Sequence, residues 1–228
     1  MTSTTERLSR RRLQSVAVAV PGALLGAVFG AVFGAAAAVR RTKPLHPKGR
    51  VGSGVLEVTS PRPGSGVPLL AATGAHPCTV RWSRSVGLPA PLPDIEGFAL
   101  RLTEPAADLL FAATGTGPVG RYLLVPRVAG RHGPQGTLLP VATDAGSLLL
   151  QVTPLDDAEP PTRWELAVAQ SGGSWEPVGT IRVEWGDDRP LRFDPVEHPL
   201  PGTWQYPVVV RLREPAYAAA RLGAEART

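Results

Sequence analysis

The sequence predicts a mainly β protein: an eight-stranded antiparallel barrel, preceded by a transmembrane helix and closed by a C-terminal helix. Three observations carry this reading. Eight short strand-like runs follow one another after Arg50, punctuated by Gly and Pro turns. Before them lies an unbroken stretch, Val16 to Val39, in which every residue is apolar, Gly or Pro. Only the final stretch, "REPAYAAARLGAEA", has helical character. Residues 1–41 are therefore assigned to a basic N-terminus with its membrane segment, and residues 42–228 to the barrel with its closing helix.

As a helix, Val16–Val39 would be about 36 Å long, enough for a hydrocarbon core of about 30 Å. Gly22, Gly26, Gly30 and Gly34 recur every fourth residue and would line one face. Such a face lets a second helix approach closely, so a homo-oligomer would form through it. Two other readings of the stretch stand beside a retained anchor. "SRRRLQ" loosely matches a twin-arginine export signal, and "AAAA" offers small-residue cleavage sites, although the run is longer than the usual export core. A helix buried in protein is the third. Arg and Lys flank both ends almost equally, which leaves the membrane orientation open.

The barrel runs are "VGSGVLEVT", "CTVRWSRS", "GFALRL", "DLLFAAT", "GTLLPVA", "SLLLQVT", "RWELAVA" and "GTIRVEW". Alternation is clearest in the last two, where Ile181, Val183 and Trp185 share one face. Eight antiparallel strands suit a closed barrel, which has no exposed edge, or a two-sheet sandwich. In the C-terminal stretch Pro215 falls in the first turn, where a missing N–H is harmless, and alanines follow it.

Composition narrows the function classes. Lys and Arg exceed Asp and Glu by 24 − 19 = 5, and the excess sits largely in the first fifty residues. The folded part has no basic stripe interleaved with aromatics, so nucleic acid is not an expected partner. One cysteine, Cys78, excludes an internal disulfide framework and reads as a small core residue. The four histidines are scattered, and there is no HxH, HExxH, CxxC or GxSxG. "GTGPVG" lacks the Lys and Ser/Thr of a phosphate loop. The pairs Asp156–Asp157 and Asp187–Asp188 read as solvated turn residues.

Four segments in order, "LHPKG", "VRWS", "DIEGFALRL" and "DLLFAATG", resemble the opening half of the haem catalase barrel. That family reads roughly V-H-A-K-G, V-R-F-S, D-P-R-G-F-A-V-K-F and D-L-V-G-N-N at similar spacings. "DIEGFALRL" is the most specific piece, matching at Asp94, Gly97, Phe98, Ala99 and the basic Arg101. The match spans Lys43 to Gly115. It returns at "REPAY", where Arg213 precedes Tyr217 by four residues, as in the family's R-x-F-x-Y.

The resemblance implies a haem cofactor and a role for each matching residue. His46 would be the distal acid/base that shuttles a peroxide proton, and Ser83 the hydroxyl that orients its ring. Arg81 and Lys43 fall where arginines face the haem propionates. Tyr217 would ligate the iron, with Arg213 one turn earlier holding the phenolate deprotonated. Four positions depart from the family pattern. Ala112 replaces the distal asparagine, Lys43 an arginine, Pro215 the phenylalanine and Ala219 the aspartate of the proximal motif.

The expectation is a membrane-tethered, haem-binding catalase-like protein with peroxidase-type activity on hydrogen or organic peroxides. "TKPLHPKG" would lead from the anchor straight into the distal side of the pocket, near the bilayer surface. Two alternatives are retained. One is a haem-free barrel that binds a lipid or other apolar ligand. The other is a hydrolase, such as a phosphodiesterase, which would need Asp94, Asp108, His132 or His198 to converge.

Overall fold

A computed structural model of the chain describes residues 48–189 and 191–206. Among the described residues there are nine strands: β1 (Lys48–Val58), β2 (Gly74–Arg84), β3 (Glu96–Leu102), β4 (Ala107–Ala113), β5 (Gln135–Gly136), β6 (Val141–Thr143), β7 (Gly146–Pro154), β8 (Arg163–Gln170) and β9 (Glu176–Trp185). All pairings are antiparallel, and β1 lies between β2 and β9. The sheet closes because β5 pairs with both β4 and β7. The closed ring is therefore β1-β2-β3-β4-β5-β7-β8-β9, an eight-stranded barrel, with β6 hydrogen-bonded beside β5 along the same edge of β7. Followed once round from Gly49, the pairing returns to β1 near Val58, its other end, so the strands are strongly tilted.

One strand differs from expectation. "GTLLPVA" is not a single run but breaks between β5 and β6. Leu138 adopts a φ of 61°, a region that L side chains rarely enter, and Pro140 cannot donate to a ladder. The expected membrane segment over 16–39 and helix over 213–226 lie outside the described residues. Among the described residues no helix is long and apolar enough to cross a membrane.

The barrel interior is packed with apolar side chains. Alternation in β9 holds: Ile181 and Val183 are buried while Arg182 and Glu184 are exposed. Trp164 of β8 is fully buried and meets Phe98 at 4.7 Å between ring centroids, and Phe98 meets Phe111 edge-on at 6.0 Å. The indoles of Trp164 and Trp185 both donate to the Pro161 carbonyl, so the turn before β8 is fastened to two strands. Gly52 marks a close approach of β1 to β9, because a Cβ there would lie 2.6 Å from both the Glu184 carbonyl and the Val183 side chain. Cys78 is a buried core residue, and burial, opposed by a backbone hydrogen bond at Leu56, pushes its thiol up to about 11. It is inert at neutral pH.

The segment "DIEGFALRL" has a structural logic of its own. The Asp94 carboxylate accepts the backbone N–H groups of Val86, Gly87, Leu88 and Ile95 at 2.6–3.1 Å and pins the β2–β3 loop. Phe98, Leu100 and Leu102 face inward. Arg101 faces outward and grips Asp108 with two hydrogen bonds of 2.7 and 2.6 Å. Truncating the central ring removes two aromatic contacts and leaves a cavity. Phe98→Ala is expected to lower the unfolding free energy by about 3–5 kcal/mol in denaturant titrations, whereas an exposed control such as Arg182→Ala should stay within about 0.5 kcal/mol of the native chain.

Candidate functional site

Strand alternation sends Trp82 inward and its neighbours Arg81 and Ser83 outward. Register then sets Ser83 opposite Gly49 of β1 and Gly97 of β3, Gly97 opposite Ala112 of β4, and Ala112 opposite Gly136 of β5. Five adjacent strands thus present a row of residues with almost no side chain on the outer face. Ser83, in the middle of the row, is only 4% exposed.

A cation stands at the edge of this row. Arg81 contacts Asp188 through Nε and Nη2, both at 3.3 Å, and the Gly49 N–H donates to the same carboxylate at 2.9 Å. A Cβ at Gly49 would lie 2.8 Å from the Arg81 guanidinium, so the glycine makes room for the arginine. Asp188, expected as a solvated turn residue, is instead this anion. Asp156 does act as a turn residue. It accepts the backbone N–H groups of Ala158, Thr162 and Arg163, and these bonds together with the Thr162 hydroxyl outweigh desolvation and hold its carboxyl below the ordinary value. Of the six expected site residues, Arg81 and Ser83 are neighbours on one outward face, while Lys43, His46, Arg213 and Tyr217 lie outside the described residues.

Sequence reasoning missed a second constellation, inside the barrel rim. His132, in the segment between β4 and β5, bridges two carboxylates. Its Nδ1 is 2.8 Å from Glu96 Oε1 and its Nε2 is 3.0 Å from Glu159 Oε2. The Glu96 and His132 side chains are buried and that of Glu159 is half-exposed. Trp82 packs edge-on against the imidazole at 5.8 Å. Arg127 lies beside the cluster, its guanidinium packed on Gly133 and donating to the Thr114 carbonyl at 3.0 Å. Burial alone would depress the His132 pKa, but the hydrogen bonds and charges of Glu96 and Glu159 prevail and raise it. Outside the imidazole lies an open depression of about 500 Å³, lined by His132, Gly133 and residues 153–157. One signal for this cluster was present in the sequence. Glu96 is in phase with Phe98, Leu100 and Leu102, and a charged residue in step with a buried face calls for a buried partner.

The convergence that a hydrolase would need is not found among Asp94, Asp108, His132 and His198. Asp94 is consumed by the β2–β3 loop. Asp108 meets His198 at 3.6 Å, but its carboxylate is already held by Arg101 and by the Asp194 N–H. His132 belongs to the other end of β3, with Glu96. Among the described residues no group of three or more His, Cys, Asp or Glu side chains is arranged to hold a metal ion.

The fold is catalase-like. A fungal catalase crystal structure superposes with a TM-score of 0.52 at 11% identity, covering 77% of this chain and 58% of that one. Catalase A from Saccharomyces cerevisiae superposes with a TM-score of 0.55 at 13% identity, covering 84% of this chain and 63% of that one. The chain thus spans about three-fifths of the length of each catalase. No family model matches the sequence, and no curated protein matches it.

The His132 bridge has a defined pH signature. Its raised folded-state pKa means that the bridge contributes fully below the ordinary histidine value of about 6.5 and fades as pH rises through the folded value. The groups facing the imidazole are Glu96, Glu159 and Arg127, with Asp156 and Asp157 lining the same depression. Melting curves of the native chain and of His132→Asn should therefore differ most near pH 6 and draw together as the pH rises. A gap independent of pH would show that the imidazole is not held as the cation.

Proposed function

We propose that this chain is a membrane-tethered, haem-binding protein of catalase-like fold with peroxidase-type activity toward hydrogen or organic peroxides. The observation that supports this most is the outer-face row of Gly49, Ser83, Gly97, Ala112 and Gly136 with a carboxylate-holding arginine, Arg81, at its edge. A planar, largely apolar ring with acidic substituents needs that combination: a floor without protruding side chains, and a fixed cation. Asp188 already occupies Arg81 in the manner of such an acidic group. The described half of the site fits haem on these grounds.

In this reading Tyr217 ligates the iron, and Arg213 stabilises its phenolate by charge. Arg81 and Lys43 pair with the propionates. Haem bound there would supply the redox centre at which the peroxide O–O bond is reduced. His46 takes the proton from the incoming oxygen of the peroxide and returns it to the leaving one. Ser83, on the buried outer face, holds the imidazole of His46 in the tautomer that accepts. Ala112 gives the peroxide no amide to bind, which favours oxidation of a small apolar reductant over disproportionation of a second peroxide.

The apolar-ligand alternative is constrained by the same structure. Leu56, Leu100, Leu150, Trp164 and Ile181 fill the barrel, so a lipid would also have to lie on the outer face.

The test is the absorption spectrum of the full chain, expressed with a haem precursor and purified in detergent. A stoichiometric Soret band is expected, displaced in Tyr217→Phe. His46→Ala should keep the band and lose about 10²–10⁴-fold in peroxidase rate. A colourless protein that does not take up added haem would overturn the proposal.

A further inference from the structure

The inner face of the same strands carries a polar layer that the outer-face reading does not use. Pairing sets Glu96 opposite Arg84 on one side. On the other side Gly97 faces Ala112, which places Glu96 level with Ala113, and Ala113 faces Gln135. Glu96 and Gln135 thus lie in one inward-facing row with only a methyl group between them. The row below is aromatic, made by Trp82, Phe98 and Phe111. His132, held by Glu96 and Glu159, closes the layer at the rim.

Five polar atoms of this layer and its immediate neighbours have no hydrogen-bond partner among the described residues: Glu96 Oε2 and both amide atoms of Gln135 in the layer, Trp82 Nε1 in the row below, and Arg127 Nη1 beside it. They are half of the ten such buried atoms among the described residues, gathered in one place. The residues that carry them are deeply placed, with Gln135 0% and Glu96 2% exposed. Leaving a buried polar group unpaired is destabilising, and leucine at 135 would fill the same volume without that cost. Three of the atoms are donors and two are acceptors. Glu96 disfavours an anion here, the Trp82 and Arg127 N–H groups disfavour a cation, and an apolar molecule would satisfy none of them.

We propose that this layer binds a small uncharged molecule that both donates and accepts hydrogen bonds, as a primary amide does, and that the Glu159–His132 contact is its lid. Glu159 is suited to that task. It is the exposed partner of the bridge, carried on a turn whose ends are fixed by Asp156 and by the Pro161 carbonyl. Breaking one 3.0 Å contact frees the outer edge of His132 toward the open depression. The site faces the opposite side of the sheet from Ser83 and Gly97, and it stands whether or not haem binds.

Acetamide is the probe. The full chain, labelled with ¹⁵N-tryptophan, gives five indole resonances, of which Trp82→Phe identifies one. Acetamide should shift that resonance saturably and leave the other four in place. Gln135→Leu should abolish the shift while keeping the native melting temperature or raising it. Glu159→Ala should retain the shift with faster exchange. If Gln135→Leu does not fold, Glu96→Gln replaces it and should weaken binding about tenfold. A Trp82 resonance that never moves, moves without saturating, or responds equally in these variants would mean that ordered water alone fills the layer, and the proposal would fall.

Discussion

Closure of the sheet through β5 is the constraint on which the rest of the molecule depends. Only Gln135 and Gly136 join β4 to β7, yet they convert an open sheet into a ring without long free edges. Two residues suffice because their neighbours supply the rest. Thr137 N–H continues the ladder to Leu150, and β6 extends the same edge of β7. Closure also fixes which side of each strand is inside, since side chains alternate along the strands of the ring, apart from the irregularity at Leu166–Ala167 where β8 meets β9. Glu96 and Trp82 then have no choice but to face the interior, and Gly97 and Ser83 no choice but to face out.

That alternation lets three strands, β2, β3 and β5, carry two chemistries at once. Trp82 and Ser83, Glu96 and Gly97, Gln135 and Gly136 each put a bulky or polar group inward and a minimal one outward. The outer row is smooth because the inner row carries the hydrogen-bonding groups. A substitution that shifted register by one residue would exchange the two faces and destroy both. The rigidity of the aromatic layer beneath, with Phe98 wedged between Phe111 and Trp164, keeps that register in place.

Much of this fold was legible in the residues, and the failures have physical causes. The eight runs stand out because leucine, valine and aromatic residues alternate between Gly and Pro turns. "GTLLPVA" misled because its composition is strand-like while Leu138 sits at positive φ, a choice that tertiary pairing imposes and composition does not reveal. "DIEGFALRL" was recognisable because each of its residues has a fixed job, from the Asp94 loop anchor to the Arg101–Asp108 fork. The rim cluster was not recognised. Its contacts join residues 36 and 27 positions apart in segments without periodicity, so only the phase of Glu96 hinted at it. The sequence separation of His46 from Tyr217 poses the same difficulty for the proposed haem site, whose halves are joined by resemblance and not by local pattern.

The Arg81–Asp188 pair sets the energetic terms for any ligand on the outer face. An intramolecular carboxylate competes at an effective concentration of about millimolar, far above that of a free cofactor. An incoming acid therefore gains little from the arginine alone, because it exchanges one carboxylate for another, and the pair is only partly shielded from water. For the proposed haem, binding would have to come from what Asp188 cannot offer: apolar area laid on the Gly49–Ser83–Gly97–Ala112 row, and the bond to a metal that is proposed for Tyr217. A simple fatty acid brings the first and lacks the second. A metallated, planar, doubly acidic ring brings both, and that difference is the physical reason to rank haem above a lipid on this surface.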